Sequence, residues 1–200
     1  MAGSSDKPQP PAAGDRPTFP WDPPSNFRRR IPQGDNRERL MCDECGFVHY
    51  ENPKIVVGSV IVTGEQILMA KRAIHPRKGF WTLPAGFMEM HESTEDGARR
   101  EAFEEANAQI EIDCLIGVYN IPRINQVQMM YRARLASPEF SAGEESTDVA
   151  LYTWEEIPWA EIAFPSVHWA LHHWRETRHL RSFAPFGTPD DWIERVRAAR

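Results

Sequence analysis

Residues 86–108 read GFMEMHESTEDGARREAFEEANA. Within them Glu101, Glu104 and Glu105 stand at i, i+3 and i+4, so a helix points all three carboxylates the same way. Like charges on one face repel, and a solvated helix gains nothing from them. They are, however, the hard oxygen donors that Mg²⁺ or Mn²⁺ requires. The helix is well signalled locally. Ser93 is an N-cap residue with Asp96 three positions on. Glu95 and Asp96 suit the positive end of the helix dipole. Ala98, Ala102 and Phe103 offer a buried stripe. Asn107 tolerates the left-handed conformation that ends helices. Gly97 costs helix propensity in the first turn, and close packing against a neighbouring backbone is the expected reason for it. An acidic surface helix would account for Glu104-Glu105 alone. It would not account for the whole spacing with Gly86, Glu92 and Arg100 in place.

The chain has 200 residues, enough for one domain with appendages and a sizeable core. A net charge of −6 argues against a general nucleic-acid or anionic-membrane partner. No apolar run reaches the length of a membrane span. The start MAGSSDKPQPPAAGD lacks the hydrophobic region of a secretory signal. Three cysteines cannot build a disulfide framework and suit a reducing compartment, so the expected location is cytoplasmic.

Seven of the 17 prolines fall in the first 26 residues, which read as an extended tail. Phe27-Arg28-Arg29-Arg30 follows, a solvated basic stretch or an anchoring patch. Cys42-Asp43-Glu44-Cys45-Gly46 reads as one knuckle of a zinc ribbon, whereas a structural zinc normally takes four ligands. Cys42 and Cys45 are therefore read as the remnant of a lost site and Zn²⁺ as doubtful, with His49 or a partner chain the remaining ways to complete one. Lys54–Thr63 and Gln66–Arg72 read as strands joined by Gly64-Glu65, a link that suits a II′ hairpin. Ile110–Tyr119 and Val149–Trp154 are further strands. Gln126–Leu135 alternates, with Val127, Met129, Tyr131, Ala133 and Leu135 on one face and Gln126, Gln128, Arg132 and Arg134 mostly on the other. Pro165-Ser166 opens a helix to about residue 181, and Thr188-Pro189 caps a last short one. The expected division is a tail at 1–38, a degenerate ribbon at 39–52, a catalytic domain at 53–182 and an extension at 183–200. The element order predicts an α/β layered domain around a mixed sheet.

Residues 86–108 resemble the Nudix box, G-x5-E-x7-R-E-U-x-E-E-x-G-U, with U a bulky aliphatic residue. Gly86, Glu92, Arg100, Glu101, Glu104 and Glu105 match. Ala102 and Ala108 replace larger aliphatics, and Asn107 replaces the last glycine. The resemblance extends from about residue 39 to 164 and implies the α/β/α sandwich of Nudix hydrolases. It implies a metal held by Glu101 and Glu105, with Glu104 and the Ala85 carbonyl as further ligands. Gly86 lets the backbone approach that metal, and the pair Glu92–Arg100 ties the preceding loop to the helix. The general base is then a box glutamate or an acid from a later loop, where Glu144, Glu145 and Asp148 stand, with Glu145 the first choice and Asp148 the second. The flanks are similar to the zinc-ribbon branch and to FAD and ADP-ribose pyrophosphatases. The SQPWPFPxS segment of the NADH-preferring branch has no counterpart between residues 109 and 131.

Lys71, Arg72, Arg77 and Lys78 flank a loop before Phe80-Trp81. A basic loop beside a metal can hold a diphosphate, and Trp81 can stack a base. Arg123 and Gln126 are further substrate-binding candidates. His168 and His172 are read as a solvated or packed pair. The expected substrate is a small nucleotide, ADP-ribose or FAD. The alternatives are a catalytically silent Nudix-like regulator and a nucleic-acid-binding zinc module. The resemblance also implies a homodimer, with the N-terminal segment or the Trp169/Trp174 helix at its interface.

Overall fold

The structure is a computed structural model that describes residues 24–190. The expected tail up to residue 23 and the final short helix lie outside the described residues. The chain divides into two units between residues 51 and 52.

The small unit holds β1 (Phe27–Arg30), β2 (Arg39–Cys42) and β3 (Val48–His49) in one antiparallel sheet of order β1-β2-β3. The ribbon-like segment thus starts before residue 39, because Phe27 pairs with Cys42 and Arg30 with Arg39. Gly46, at φ 72°, closes the knuckle by donating its N–H to the Cys42 carbonyl. Arg30 pairs with Asp43 at 2.7 Å.

In the large unit, β4 (Lys54–Thr63) and β5 (Gln66–Arg72) form the expected hairpin. Gly64 takes φ 58° while Glu65 keeps a negative φ, as a II′ turn requires. β4 then divides its outer edge between two partners. Its end, Ile61–Thr63, bonds to β5, and its start, Val56–Gly58, bonds to β7 (Ala85–Phe87). The pair β4/β5 splays toward the start of β4, and β6 (Trp81–Thr82) with β7 fills the gap. Gly58 makes the insertion fit, since a Cβ there would overlap Ala85 and the Pro84 carbonyl. β9 (Gln126–Leu135) runs parallel to β4, with β8 (Ile110–Ile121) antiparallel outside it. β10 (Ser146–Tyr152) closes the other side against β5, giving the order β10-β5-β4-β9-β8. This is a mixed sheet.

Helix α1 (Thr94–Ala106) and helix α2 (Pro165–Thr177) serve separate cores on this sheet. Ala102 and Ala106 pack with Ile61, Leu68 and Ala133, while Val167, Ala170, Leu171 and Trp174 pack with Val60, Ile67, Met69 and Met130. Adjacent residues of β4 and β5 therefore feed opposite cores, the period of two expected of a sheet covered on both sides. This is the α/β/α layering.

Two-sided cover changes three expectations. Arg132, read onto a polar face, is only 7% exposed. It is held by Asp113 at 2.6 Å and donates to the carbonyls of Thr177 and Leu180. Trp174, on the helix expected at a dimer interface, is buried in the single-chain core, while Trp169 on the same helix stays partly exposed. Phe103 is 54% exposed, and the buried stripe of α1 is instead Ala98, Ala102 and Ala106. Helix α2 ends at Thr177, earlier than its pattern suggested.

The chain after α2 returns to the edge strand. Val118 donates to the Phe186 carbonyl, Phe186 donates to the Ile116 carbonyl, and Thr188 bonds to Asn120. His173 stacks on Phe186 at 4.0 Å, and its Nδ1 bonds the buried Tyr119 hydroxyl at 2.8 Å. Burial lowers the pKa of His173 and of His168, which packs against Trp159. Each histidine binds fewer protons folded than unfolded. The stability they confer is present above about pH 6.5 and is lost as pH falls below it. The melting temperature is expected to drop as pH falls from neutral to mildly acidic, and His173→Gln is expected to flatten that drop. An equal pH response in the variant would remove His173 from the account.

Among the described residues no helix is long and apolar enough to cross a membrane.

Candidate active site

Helix α1 is placed by its caps. Ser93 accepts the Asp96 N–H, and Asn107 sits at φ 46° with its N–H on the Phe103 carbonyl. Gly97 allows close packing, though against the Glu92 carboxylate and the Val57 side chain rather than a backbone. The small face Gly97, Ala98, Ala102 and Ala106 lets the helix approach the sheet closely. Glu101 and Glu105 on the same flank are consequently buried, Glu105 being 5% exposed. Glu104, one turn on from Arg100, stays exposed.

Arg100 organises the approach. Its Nε and Nη2 donate to the two oxygens of Glu92 at 3.0 and 2.9 Å, and Nη2 also reaches the Phe87 carbonyl at 3.0 Å. Glu92 in turn accepts the Glu89 N–H at 2.6 Å. The guanidinium holds the Glu92 carboxyl below its usual range. This fork fixes the turn after β7 to the helix. Nη1 of Arg100 bonds Glu101 at 2.8 Å and Glu104 at 2.7 Å.

Glu105 differs from these. Among the described residues its carboxylate accepts one hydrogen bond, from the Ala85 N–H at 3.2 Å, and forms no ion pair. Burial pushes its pKa up to about 8, and burial raises that of Glu101 as well. A carboxylate buried with one neutral donor is unfavourable as an anion unless a cation joins it. Gly86 supplies a second sign of fit. A Cβ there would collide with both oxygens of Glu101, so the bare backbone of β7 lies against the carboxylate. Among the described residues no three acidic, histidine or cysteine side chains stand close enough to hold an ion as arranged. Glu101 and Glu104 each give one oxygen to Arg100 instead. The donor chemistry of Glu101, Glu104 and Glu105 fits Mg²⁺ or Mn²⁺.

These groups line a cleft of about 1290 Å³. Arg72, Arg123, Gln126 and Gln128 line it too, as does Glu145, whereas Asp148 is absent from its wall. Asp148 instead accepts the N–H of Val149. Glu144 lines the cleft beside Glu145, and it is the charge of Glu145 that raises the pKa of both Glu101 and Glu105. Trp81 does not reach the cleft. It is 5% exposed and packs edge-on to Tyr152 in the core below. Arg77 is likewise absent from the wall and lies over the Phe80 ring. The aromatic residues in the wall are Phe87, Phe103, Phe164 and Trp169. Phe164 and Trp169 come from α2 and the residue before it, beyond the reach of a motif centred on residues 86–108. Arg72 lies over Phe164 at 5.2 Å.

Known families and structures agree with this fold. The NUDIX domain family matches residues 52–174, and its Nudix N-terminal zinc-ribbon family matches residues 25–51. A NUDIX hydrolase from Nitrosomonas europaea has a similar solved structure, with TM-score 0.76 and 45% identity, covering 81% of this chain and 92% of that one. The ADP-ribose pyrophosphatase of Methanocaldococcus jannaschii is 29% identical over 119 residues, 58% of this chain and 69% of that protein. The NAD-capped RNA hydrolase NudC of Pseudomonas aeruginosa is 29% identical over 138 residues, and this chain spans 48% of its length. A hydrolase fold with buried carboxylates behind a glycine strand and an arginine fork defines the class, and the chain belongs to the Nudix family.

The zinc named for the ribbon does not fit these residues. The whole chain has three cysteines, and Cys114 lies in β8. Cys42 and Cys45 supply one knuckle. The Asn26 amide donates to the Cys42 sulfur at 3.5 Å, and the N–H groups of Cys45 and Glu44 hold the Cys42 thiol below its usual pKa.

Proposed function

We propose that this chain hydrolyses the pyrophosphate bond of a nucleoside diphosphate derivative, with ADP-ribose its first substrate, giving AMP and ribose 5-phosphate. FAD, which would give AMP and FMN, is the second candidate. The observation that carries the reading is Glu105, buried beside Glu101 in the wall of the cleft with no ion pair among the described residues.

Glu101 and Glu105 would hold Mg²⁺ or Mn²⁺, with Glu104 and the Ala85 carbonyl as further donors. When bound, the ion polarises phosphate oxygens and lowers the pKa of water. Arg72 and Arg123 balance the diphosphate charge from the walls. Glu145 takes the proton of the attacking water as its oxygen bonds to phosphorus. The bond from that phosphorus to the bridging oxygen breaks, and the second phosphate leaves. Glu92 and Arg100 keep β7 and α1 in register and touch no reacting atom. The similarity to the Methanocaldococcus enzyme supports ADP-ribose over other diphosphates. The similarity to NudC makes NADH the informative comparison.

Initial rates of AMP formation from ADP-ribose, FAD and NADH, each with Mg²⁺, test the choice. ADP-ribose is expected to give the highest kcat/KM. A higher value for NADH would transfer the proposal to nicotinamide dinucleotides. Thermal stabilisation by ADP-ribose without turnover would support the silent regulator instead.

A further inference from the structure

The last glycine of the Nudix box is Asn107 here, and the structure gives the exchange a purpose. Asn107 keeps the left-handed conformation a glycine would have. Its side chain then does what no glycine can. The amide Nδ2 donates to the Ser141 carbonyl at 3.3 Å, the Ser141 hydroxyl at 3.1 Å and the Ala142 carbonyl at 3.2 Å. Ser141 and Ala142 begin the loop that carries Glu145. The backbone reinforces the contact, as Ser141 donates to the Ala106 carbonyl and Gly143 to the Glu105 carbonyl. Gly143 lies so close to the Glu104 carbonyl that a Cβ there would overlap it. On its far side the loop is tied by the Ala73 N–H to the Glu145 carbonyl.

We propose that Asn107 is a positioning residue that clamps the 141–145 loop to the end of α1 and so holds Glu145 opposite Glu101 and Glu105. The inference rests on the hydrolase reading, and on Glu145 as the base within it. Two carboxylates on α1 and one acid 40 residues later must keep a fixed separation for proton transfer from water. The clamp joins them at the point where the helix ends. Its hydrogen bonds are exposed, so they add little to global stability. A glycine at 107 also suits the left-handed cap. Removing the amide should loosen the loop without loosening the fold.

The test compares Asn107→Gly, Glu145→Gln and the double variant, measuring kcat and KM for ADP-ribose with Mg²⁺, and melting temperature. Glu145→Gln is expected to lower kcat about a hundredfold. Asn107→Gly is expected to lower kcat about tenfold with KM and melting temperature unchanged. In the Glu145→Gln background the glycine is expected to cost nothing further, because the clamp acts through Glu145. Asn107→Asp keeps the cap but faces the two carbonyls with acceptors only, so its kcat should be no better than that of the glycine variant. Full kcat in Asn107→Gly, or an equal loss in both backgrounds, would overturn the clamp while leaving Glu145 in place. Full kcat in Glu145→Gln would overturn the reading of the base, and the clamp with it.

Discussion

Glu105→Gln is expected to lower kcat for ADP-ribose roughly a thousandfold while making the metal-free protein more stable. The two effects share one cause. Glu105 is buried with a single neutral donor, and burial raises its pKa from 4.5 to about 8. A carboxyl with a raised folded pKa contributes stability that is complete below its unfolded value and is lost as pH rises through about 8. Above that pH the metal-free chain carries a buried anion that glutamine would not. The variant should then exceed the wild type by roughly 2–4 kcal/mol in chelator. Added Mg²⁺ should reverse the order, raising the melting temperature of the wild type and leaving the variant unmoved. Thermal melts at alkaline pH, with chelator and with Mg²⁺, check both signs. A variant less stable than the wild type in chelator would mean that Glu105 is already satisfied within the protein.

Arg100→Ala is expected to be the most destabilising single change near the site. Arg100 keeps 27% of its side-chain surface and serves Glu92, Glu101, Glu104 and the Phe87 carbonyl at once. Its loss strands the half-buried Glu92 carboxylate and frees the turn after β7. A broken buried pair costs about 3 kcal/mol at the lower end of its range, the end suited to a partly exposed guanidinium. For a chain of this size that lowers the melting temperature by about 10 °C. Activity should fall about a hundredfold because β7 and α1 lose their register. Arg100→Lys should not restore it, since an ammonium cannot make the two-pronged bond to Glu92. Glu92→Gln combined with Arg100→Ala should cost less than the sum of the two changes, because the stranded charge is gone. Full additivity by denaturant unfolding would contradict the pairing.

The spacing of charges in residues 86–108 was enough to read the helix and its two caps, whereas the burial of Glu101 and Glu105 on its flank emerges only from the packing of the helix on the sheet. Strands β4 and β5 were legible to the residue, because each is a long apolar run and Gly64 marks the turn. Other features resist a local reading for physical reasons. Trp81 lies on a strand of two residues, too short for any period to show which way it faces. Alternation in β9 reveals two faces but cannot say that α2 covers the second, so Arg132 looked solvent-facing. Phe164 enters the cleft only through the fold. Asn107 shows the limit most clearly. As a mild replacement for glycine it looked neutral, while its amide reaches Ser141, 34 residues away.

Metal-dependent release of AMP from ADP-ribose by this chain tests the hydrolase reading most directly. Equal amounts of AMP and ribose 5-phosphate, formed with Mg²⁺ or Mn²⁺ and suppressed by chelator, are the predicted result. Failure to form AMP with either ion, from a chain shown to be folded, would contradict it.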